Sequence, residues 1–439
     1  MKILFVSLGC DKNLVDSEHM LGLLRNKGYE FTDDEYEAEV IVVNTCCFIG
    51  DAKEESINTL IEMGARKEDG KCKVLIACGC LAQRYAKEIR NDIPEVDVIV
   101  GTTAIEKIVE AIDNFKDKKN YMEDIDYLSA ANAPRIVSTG GHYSYLKIAE
   151  GCDKHCSYCI IPRVRGNFRS VPMEYLLEEA KKLAESGVKE LILVAQETTM
   201  YGTDLYGEKS LHKLLKKLCE IESLVWIRVL YCYPEEIYDE LLEVMASENK
   251  ICKYIDIPIQ HASDRILKRM GRRTTNKDLR NVVLKLREKV PGIVIRTTLI
   301  SGFPGETQED HEEVMRFVDE MEFDRLGVFT YSQEEDTPAA SFPDQIDEDI
   351  KEERKYEIME LQSEIVEDKV NELIGKEFLA IIEGKIPDEN AYMARTYMDI
   401  PGVDSNVFVM TDEQLMTGDF VKTKITGALE YDLIGELVL

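Results

Sequence analysis

The sequence predicts an α/β protein in three parts: a doubly wound parallel sheet, a partial six-stranded (β/α) barrel and a small closed β-barrel. Three observations carry this prediction. Short runs rich in β-branched residues alternate with helical patterns over the first hundred or so residues. The same alternation resumes at Tyr143 for six further units. After about residue 371 the helices stop, and five short strand-like runs follow one another between turns. A chain of 439 residues is long enough for two or three such domains. Composition shifts place them at 1–115, at 142–370 for the barrel with a connecting helix, and at 371–439, with a linker at 116–141.

In the first part, Lys2–Ser7, Val40–Val43, Val74–Ala77 and Val96–Val100 read as strands, and Asn13–Lys27, Asp51–Arg66 and Leu81–Arg90 as helices. The apolar N-terminus is short and leads straight to Asp11-Lys12-Asn13, so it reads as the first strand rather than a signal peptide. Ligands of such sheets sit beyond the carboxyl ends of the strands. Cys10, Cys46 and Cys80 follow the first, second and third strands, so three thiols remote in sequence are expected to converge at one edge. Cys47 and Cys78 adjoin two of these positions. Neighbouring side chains of an extended segment point to opposite faces, so one of Cys46 and Cys47 should face the site. The same reasoning separates Cys78 from Cys80 less well.

Asp117–Gly141 mixes charge, Ala-Pro and Gly-Gly without periodicity and reads as a linker. Six strands are then expected at Tyr143–Ala149, Glu190–Val194, Trp226–Leu230, Tyr254–Ile257, Val294–Leu299 and Leu326–Tyr331. Just beyond the first, where such barrels carry their chemistry, stands Gly151-Cys152-Asp153-Lys154-His155-Cys156-Ser157-Tyr158-Cys159. Soft thiolates at C-x3-C-x2-C spacing favour zinc or an iron–sulfur cluster. A closed zinc site takes four protein ligands, and His155 is poorly placed to be the fourth. Three thiolates on a cubane leave one iron open to a substrate or cofactor. Further strand ends carry Gln196-Glu197-Thr198-Thr199, Pro258-Ile259-Gln260-His261 and the glycine-rich turn Ser301-Gly302-Phe303-Pro304-Gly305. The turn's backbone N–H groups can approach a nucleoside or carboxylate, which makes Gly302 a candidate cofactor contact. His261 is expected to be structural, as are Cys72, Cys219, Cys232 and Cys252.

Asp347–Glu372 reads as a solvated helix connecting two domains, with apolar residues at helical spacing. Phe378–Ile382, Tyr392–Thr396, Val407–Met410, Phe420–Ile425 and Tyr431–Leu437 then fit a five-stranded barrel. No run of 18 uncharged apolar residues exists to span a membrane. Twelve cysteines without a secretion signal point to metal sites in a reducing, cytoplasmic compartment. With 84 acidic and 54 basic residues the net charge is −30, which repels phosphate backbones and favours a basic partner.

The Cys152/Cys156/Cys159 loop resembles the signature of radical S-adenosylmethionine enzymes. Ser7-Leu8-Gly9-Cys10-Asp11-Lys12-Asn13, Asn44-Thr45-Cys46 and Gly79-Cys80-Leu81-Ala82-Gln83-Arg84 look like the three cysteine motifs of the methylthiotransferases. Ala394-Arg395-Thr396, Asp399–Asp404 and Gly418-Asp419-Phe420-Val421 resemble a TRAM domain. The resemblance implies two 4Fe-4S clusters, on Cys10, Cys46 and Cys80 and on Cys152, Cys156 and Cys159. Where Cys47 stands the family usually has glycine. It further implies that Gln196 or Glu197 meets the methionyl amino group of S-adenosylmethionine and Arg296 its carboxylate. The implied reaction is cleavage of the cofactor to a 5′-deoxyadenosyl radical, hydrogen removal from a substrate carbon, and delivery of a methylthio group.

Within the family, Asp11–Glu18, Cys47-Phe48-Ile49, Gln196–Gly202 and Tyr331–Glu335 point to the branch acting on an aspartate β-carbon of a small-subunit ribosomal protein. The expected partners are that protein or its ribosomal subunit and an electron donor such as flavodoxin or ferredoxin. An adenosine of transfer RNA is the alternative substrate. The TRAM-like segment 371–439 has 13 acidic residues against 5 basic ones, which disfavours RNA.

Overall fold

Six strands, β1 (Lys2–Ser7), β2 (Glu30–Phe31), β3 (Val40–Thr45), β4 (Val74–Cys78), β5 (Val98–Val100) and β6 (Asn120–Tyr121), form a sheet in the order β2-β1-β3-β4-β5-β6. Every pairing is parallel. Each residue of β3 and β4 is buried, which is why these strands read as unbroken apolar runs. The strand order reverses at β1, so the switch point where such sheets bind ligands lies between β1 and β3. Register sets Ser7 beside Asn44 and Asn44 beside Cys78, so the three carboxyl ends finish level. The structure is a computed structural model describing residues 1–128 and 133–438; residues 129–132 of the expected linker and Leu439 lie outside the described residues.

Two details differ from expectation. The two-residue strands β2 and β6 were too short to register as patterns, and β6 extends the sheet into the segment read as a linker. The helix expected at Leu81–Arg90 is two helices, Gly79–Arg84 and Ala86–Asp92. Tyr85 leaves helical geometry between them, and its hydroxyl bonds Glu335 of the barrel.

In the second part, β7 (Tyr143–Lys147) is followed by a short antiparallel pair, β8 (Ala149–Glu150) and β9 (Arg169–Ser170), which brackets the cysteine loop. β10 (Glu190–Val194), β11 (Trp226–Val229), β12 (Ile251–Asp256), β13 (Val294–Ser301) and β14 (Arg325–Thr330) complete an open parallel sheet, β14-β13-β12-β11-β10-β7. Alternate residues on one face, including Leu146, Leu191, Leu193, Val229 and Ile255, belong to the core built with the surrounding helices. Tyr145, Ile192, Trp226, Tyr254 and Val294, on the other face, form a core with the C-terminal barrel.

That barrel closes from β15 (Glu377–Lys385), β16 (Ala391–Thr396), β17 (Val407–Met410), β18 (Phe420–Leu429) and β19 (Asp432–Leu437). It fills the concave side of the open sheet. Trp226 meets Phe420 edge-on at 4.8 Å, and Arg325 donates to Asp399 at 2.6 Å. Glu190 has no access to water and accepts from Arg228 Nε at 2.9 Å and Arg395 Nη2 at 2.8 Å.

The helix Glu348–Asn371 is not the solvated connector expected. Lys351, Arg354, Ile358, Gln362, Val366 and Val370 form a buried stripe on it. The stripe is half polar, so a count of apolar residues missed it. Lys351 Nζ reaches Tyr331 O at 2.9 Å and Arg354 reaches Glu306 at 2.9 Å. Replacing Glu190 by Ala leaves the buried Arg228 guanidinium without a carboxylate and Arg395 with Glu383 alone. We expect the chain to lose about 3–5 kcal/mol, read as a lower urea midpoint for loss of the Trp226 fluorescence signal.

Candidate active site

The carboxyl edges of the two parallel sheets face each other. On the N-terminal side the first cysteine motif turns from β1 into the helix α1 (Asp11–Asn26) through Gly9, at φ +85°. A Cβ at Gly9 would lie 2.7 Å from Cys46 Cβ, so the first two motifs touch there. Asn13 ties them, donating to Leu8 O at 3.0 Å and Thr45 O at 2.9 Å. Cys80 Sγ lies 3.8 Å from Asn13 Oδ1. Cys10, Cys46 and Cys80 are thus brought together as expected from the strand ends. Cys10 is exposed and the other two are buried. Burial pushes the Cys46 and Cys80 thiols up, and the neighbouring thiols add to this.

Cys78 points away, donating its S–H to Val43 O at 3.4 Å within the sheet. Cys47 stays with the group: it is fully buried, and burial pushes its thiol up to about 11 against the pull of the nearby Arg84 guanidinium.

On the barrel side, Cys152 N–H donates to Gly166 O at 3.1 Å, Cys159 N–H to Cys156 O at 3.0 Å and Ser157 N–H to Met270 O at 2.9 Å. A Cβ at Gly151, φ +78°, would meet Asn167 O at 2.1 Å, so this close backbone crossing requires glycine. His155 is exposed, with φ +50°. Cys156 Sγ lies 3.1 Å from Tyr233 Oη. Burial pushes Cys152 up to about 12 and raises Cys159 further.

Between the two thiol groups runs a charged network that strand and motif reasoning did not find. Arg165, just after the cysteine loop, donates from Nε to Cys80 Sγ at 3.3 Å, and from Nη1 to Asp16 at 2.6 Å and Glu150 at 3.2 Å. Lys147 also bonds Asp16, and Glu150 at 2.7 Å. The signal for Asp16 was present: α1 carries Lys12, Asn13, Asp16, Ser17, Glu18 and His19, yet all of them are buried. A helix polar on most sides is a bridge between domains more often than a surface helix.

Gln196 donates from Nε2 to Glu150 Oε1 at 2.7 Å, while its Oε1 is buried without a partner. Glu197 is buried, with Oε1 accepting from Thr199 N–H at 2.9 Å and Oε2 unpartnered. Burial pushes its carboxyl up to about 7 against the pull of Thr199 and Lys154. Arg296 is engaged by the protein itself, 3.0 Å from Asp256 and 3.6 Å from Asp404 of the small barrel. It lines a cavity of about 280 Å³ with Arg325, Gln362, Val403 and Asp432. Gly302 N–H donates to Glu306 at 2.9 Å, and a Cβ there would strike Lys351 Cγ at 2.2 Å. His261 is buried and accepts from Ser263 N–H at 3.0 Å.

Residues 2–101 match an uncharacterized protein family, UPF0004; residues 146–318 match the radical SAM superfamily and 374–438 the TRAM domain. A protein of Lachnoclostridium phytofermentans named ribosomal protein uS12 methylthiotransferase RimO is 59% identical, over 99% of both chains. One of the same name from Clostridioides difficile is 48% identical, over 100% of this chain and 99% of that one. The chain belongs to the RimO family. Beyond RimO relatives, the fold is shared with the radical S-adenosylmethionine methyltransferase TsrM of Kitasatospora setae, at TM-score 0.55 and 15% identity over 77% of this chain and 74% of that one. The cobalamin-dependent S-adenosylmethionine radical enzyme OxsB aligns at TM-score 0.51 and 13% identity, over 84% of this chain and 56% of that one.

Two outcomes follow for this RimO-family chain. Gly9→Ala places a methyl group on Cys46 and strains the turn, so protein reconstituted with iron and sulfide should bind less of both than wild type, measured as total iron and sulfide. A carboxyl whose folded pKa lies above its unfolded value stabilises the fold at low pH and ceases to as pH rises through the folded value. Metal-free wild type should therefore lose urea stability relative to Glu197→Gln between about pH 5 and pH 8.

Proposed function

We propose that the protein adds a methylthio group to the β-carbon of an aspartyl residue of ribosomal protein uS12, using S-adenosylmethionine and two 4Fe-4S clusters. One cluster would be held by Cys10, Cys46 and Cys80, the other by Cys152, Cys156 and Cys159. The observation that carries this reading is that Arg165, six residues after the barrel's cysteine loop, bonds Cys80 of the N-terminal thiol group, in a chain whose full-length relatives bear that enzyme's name. Among the described residues no three of these side chains close around a single metal ion, so the fit to a cluster rests on the chemistry of the donors: buried thiols keep their protons unless a cation compensates, and a cluster would supply that cation. When bound, the clusters supply the electron that cleaves S-adenosylmethionine and the place at which sulfur is presented.

The chain's own residues bind, orient and enclose. Glu150 can only accept, so it fixes the Gln196 amide with Oε1 outward, a bare acceptor suited to the methionyl ammonium. Glu197 Oε2 offers a second. Arg296 is paired with Asp256 and Asp404 in a cavity bounded by the small barrel and has no contact with Gln196 or Glu197, so the carboxylate contact implied for it draws no support from this geometry.

Among its described residues the small barrel, from Glu372 on, exposes eight acidic side chains and four lysines. Asp388, Glu389, Asp412 and Glu413 lie at one end, joined by the Asn390–Asp412 hydrogen bond at 2.6 Å. That surface suits a basic protein rather than RNA. Among the described residues no helix is long and apolar enough to cross a membrane. Free cysteines throughout fit a reducing cytoplasm, and flavodoxin or ferredoxin is a fitting electron source there.

Anaerobically reconstituted enzyme should give a methylthio mass gain on uS12 or the small subunit and none on transfer RNA; the reverse would refute the reading. Cys10→Ala should still release 5′-deoxyadenosine without methylthiolating, whereas Cys152→Ala should release none.

A further inference from the structure

Arg165 belongs to the barrel, yet three of its four partners, Cys80, Asp16 and Asn13, belong to the N-terminal unit. The fourth is Glu150, whose other oxygen holds Gln196. The side chain is 2% exposed, so its charge is barely screened by salt or water. A guanidinium stays protonated at every working pH, so this is a permanent cation on the sulfur of a candidate ligand. Asp16 and Glu150 are balanced in number by Arg165 and Lys147, so the network as a whole is neutral. It is nonetheless oriented, with the guanidinium end on Cys80. Donors to ligand sulfur and nearby positive charge stabilise the reduced form of an iron–sulfur cluster.

We propose that Arg165 is a positioning residue that raises the reduction potential of the N-terminal cluster and locks that cluster against the cofactor side of the barrel through Glu150 and Gln196. The inference rests on the reading that Cys80 is a cluster ligand. No other described cation donates a hydrogen bond to Cys80 Sγ, so the effect is assigned to this side chain.

The test is redox titration, followed by electron paramagnetic resonance, of both clusters in full-length protein. Wild type is compared with Arg165→Lys and with the double variant Arg165→Met/Glu150→Gln. The double variant removes one charge of each sign, so a shift in it reports the direct contact rather than net charge. We expect full iron and sulfide, an unmoved barrel cluster, and an N-terminal midpoint displaced to more negative potential, less so in Arg165→Lys. We also expect more 5′-deoxyadenosine released per methylthio group transferred. An unmoved N-terminal midpoint in the double variant at full iron content overturns the proposal, as does an equal displacement of both clusters. Should the double variant not fold, an unmoved midpoint in Arg165→Lys overturns it. Failure of the underlying reading looks different: Cys80→Ala would then keep two complete clusters, whatever Arg165 does.

Discussion

Two parallel sheets are held mouth to mouth by charged side chains that water barely reaches. Asp16 comes from one sheet's domain; Lys147, Glu150 and Arg165 come from the other. Burying such groups is costly, and apolar replacements of similar shape often stabilise a protein as well or better. Charge at this seam therefore is best explained by what it fixes. An apolar seam would tolerate sliding, whereas four hydrogen-bonded charges admit one register. The periphery follows the same rule: Arg135 bridges Glu18 and Glu179, Arg84 and Lys53 share Glu334, and Gly50 N–H donates to Ser332.

The small barrel solves the other problem of an open sheet. Six strands do not close, and their concave face would be wet if left bare. Its upper rim must stay open for chemistry, but its floor need not. Trp226, Tyr254 and Val294 close the floor against Phe420 and its neighbours, and Glu190 anchors the contact. The TRAM-like module thus spends one face as a plug. Its one arginine goes inward with it, buried on Glu190 and Glu383. The outer surface keeps eight exposed carboxylates against four lysines, so it remains acidic.

Much of this was legible in the residues. Apolar β-branched runs located the long strands of both sheets, because strands buried on both faces tolerate little else. The rule that ligands sit at carboxyl ends pointed to Cys10, Cys46 and Cys80 at one edge, where Asn13 ties the first two motifs and lies beside Cys80. Contacts between domains were not legible. Arg165 carries no periodic signal, and its partners lie up to 152 positions away in sequence. The connecting helix failed for a related reason: Lys351 and Arg354 are buried by partners on other elements, which no local pattern announces.

Backbone geometry singles out the same region independently. Among the described residues nine non-glycine residues have positive φ, and six of them, such as Lys118 and Asp388, are exposed. His155 is a seventh exposed residue, inside the cysteine loop. Tyr231 and Gln260, at φ +58° and +71°, are the two withdrawn from solvent, just beyond β11 and β12 at the barrel mouth. Such conformations cost roughly 1–3 kcal/mol each and persist where surroundings over-determine them. Tyr231 N–H donates to Asp256, and its carbonyl accepts from Thr198; Gln260 is pinned to Thr298 and Ile300. The strained turn throws the Tyr231 ring under Lys12, 3.3 Å from its centroid, with the hydroxyl 3.2 Å from Asp11 beside Cys10. The fold accepts strain at the place where a barrel strand end must reach across the seam to the first cysteine motif.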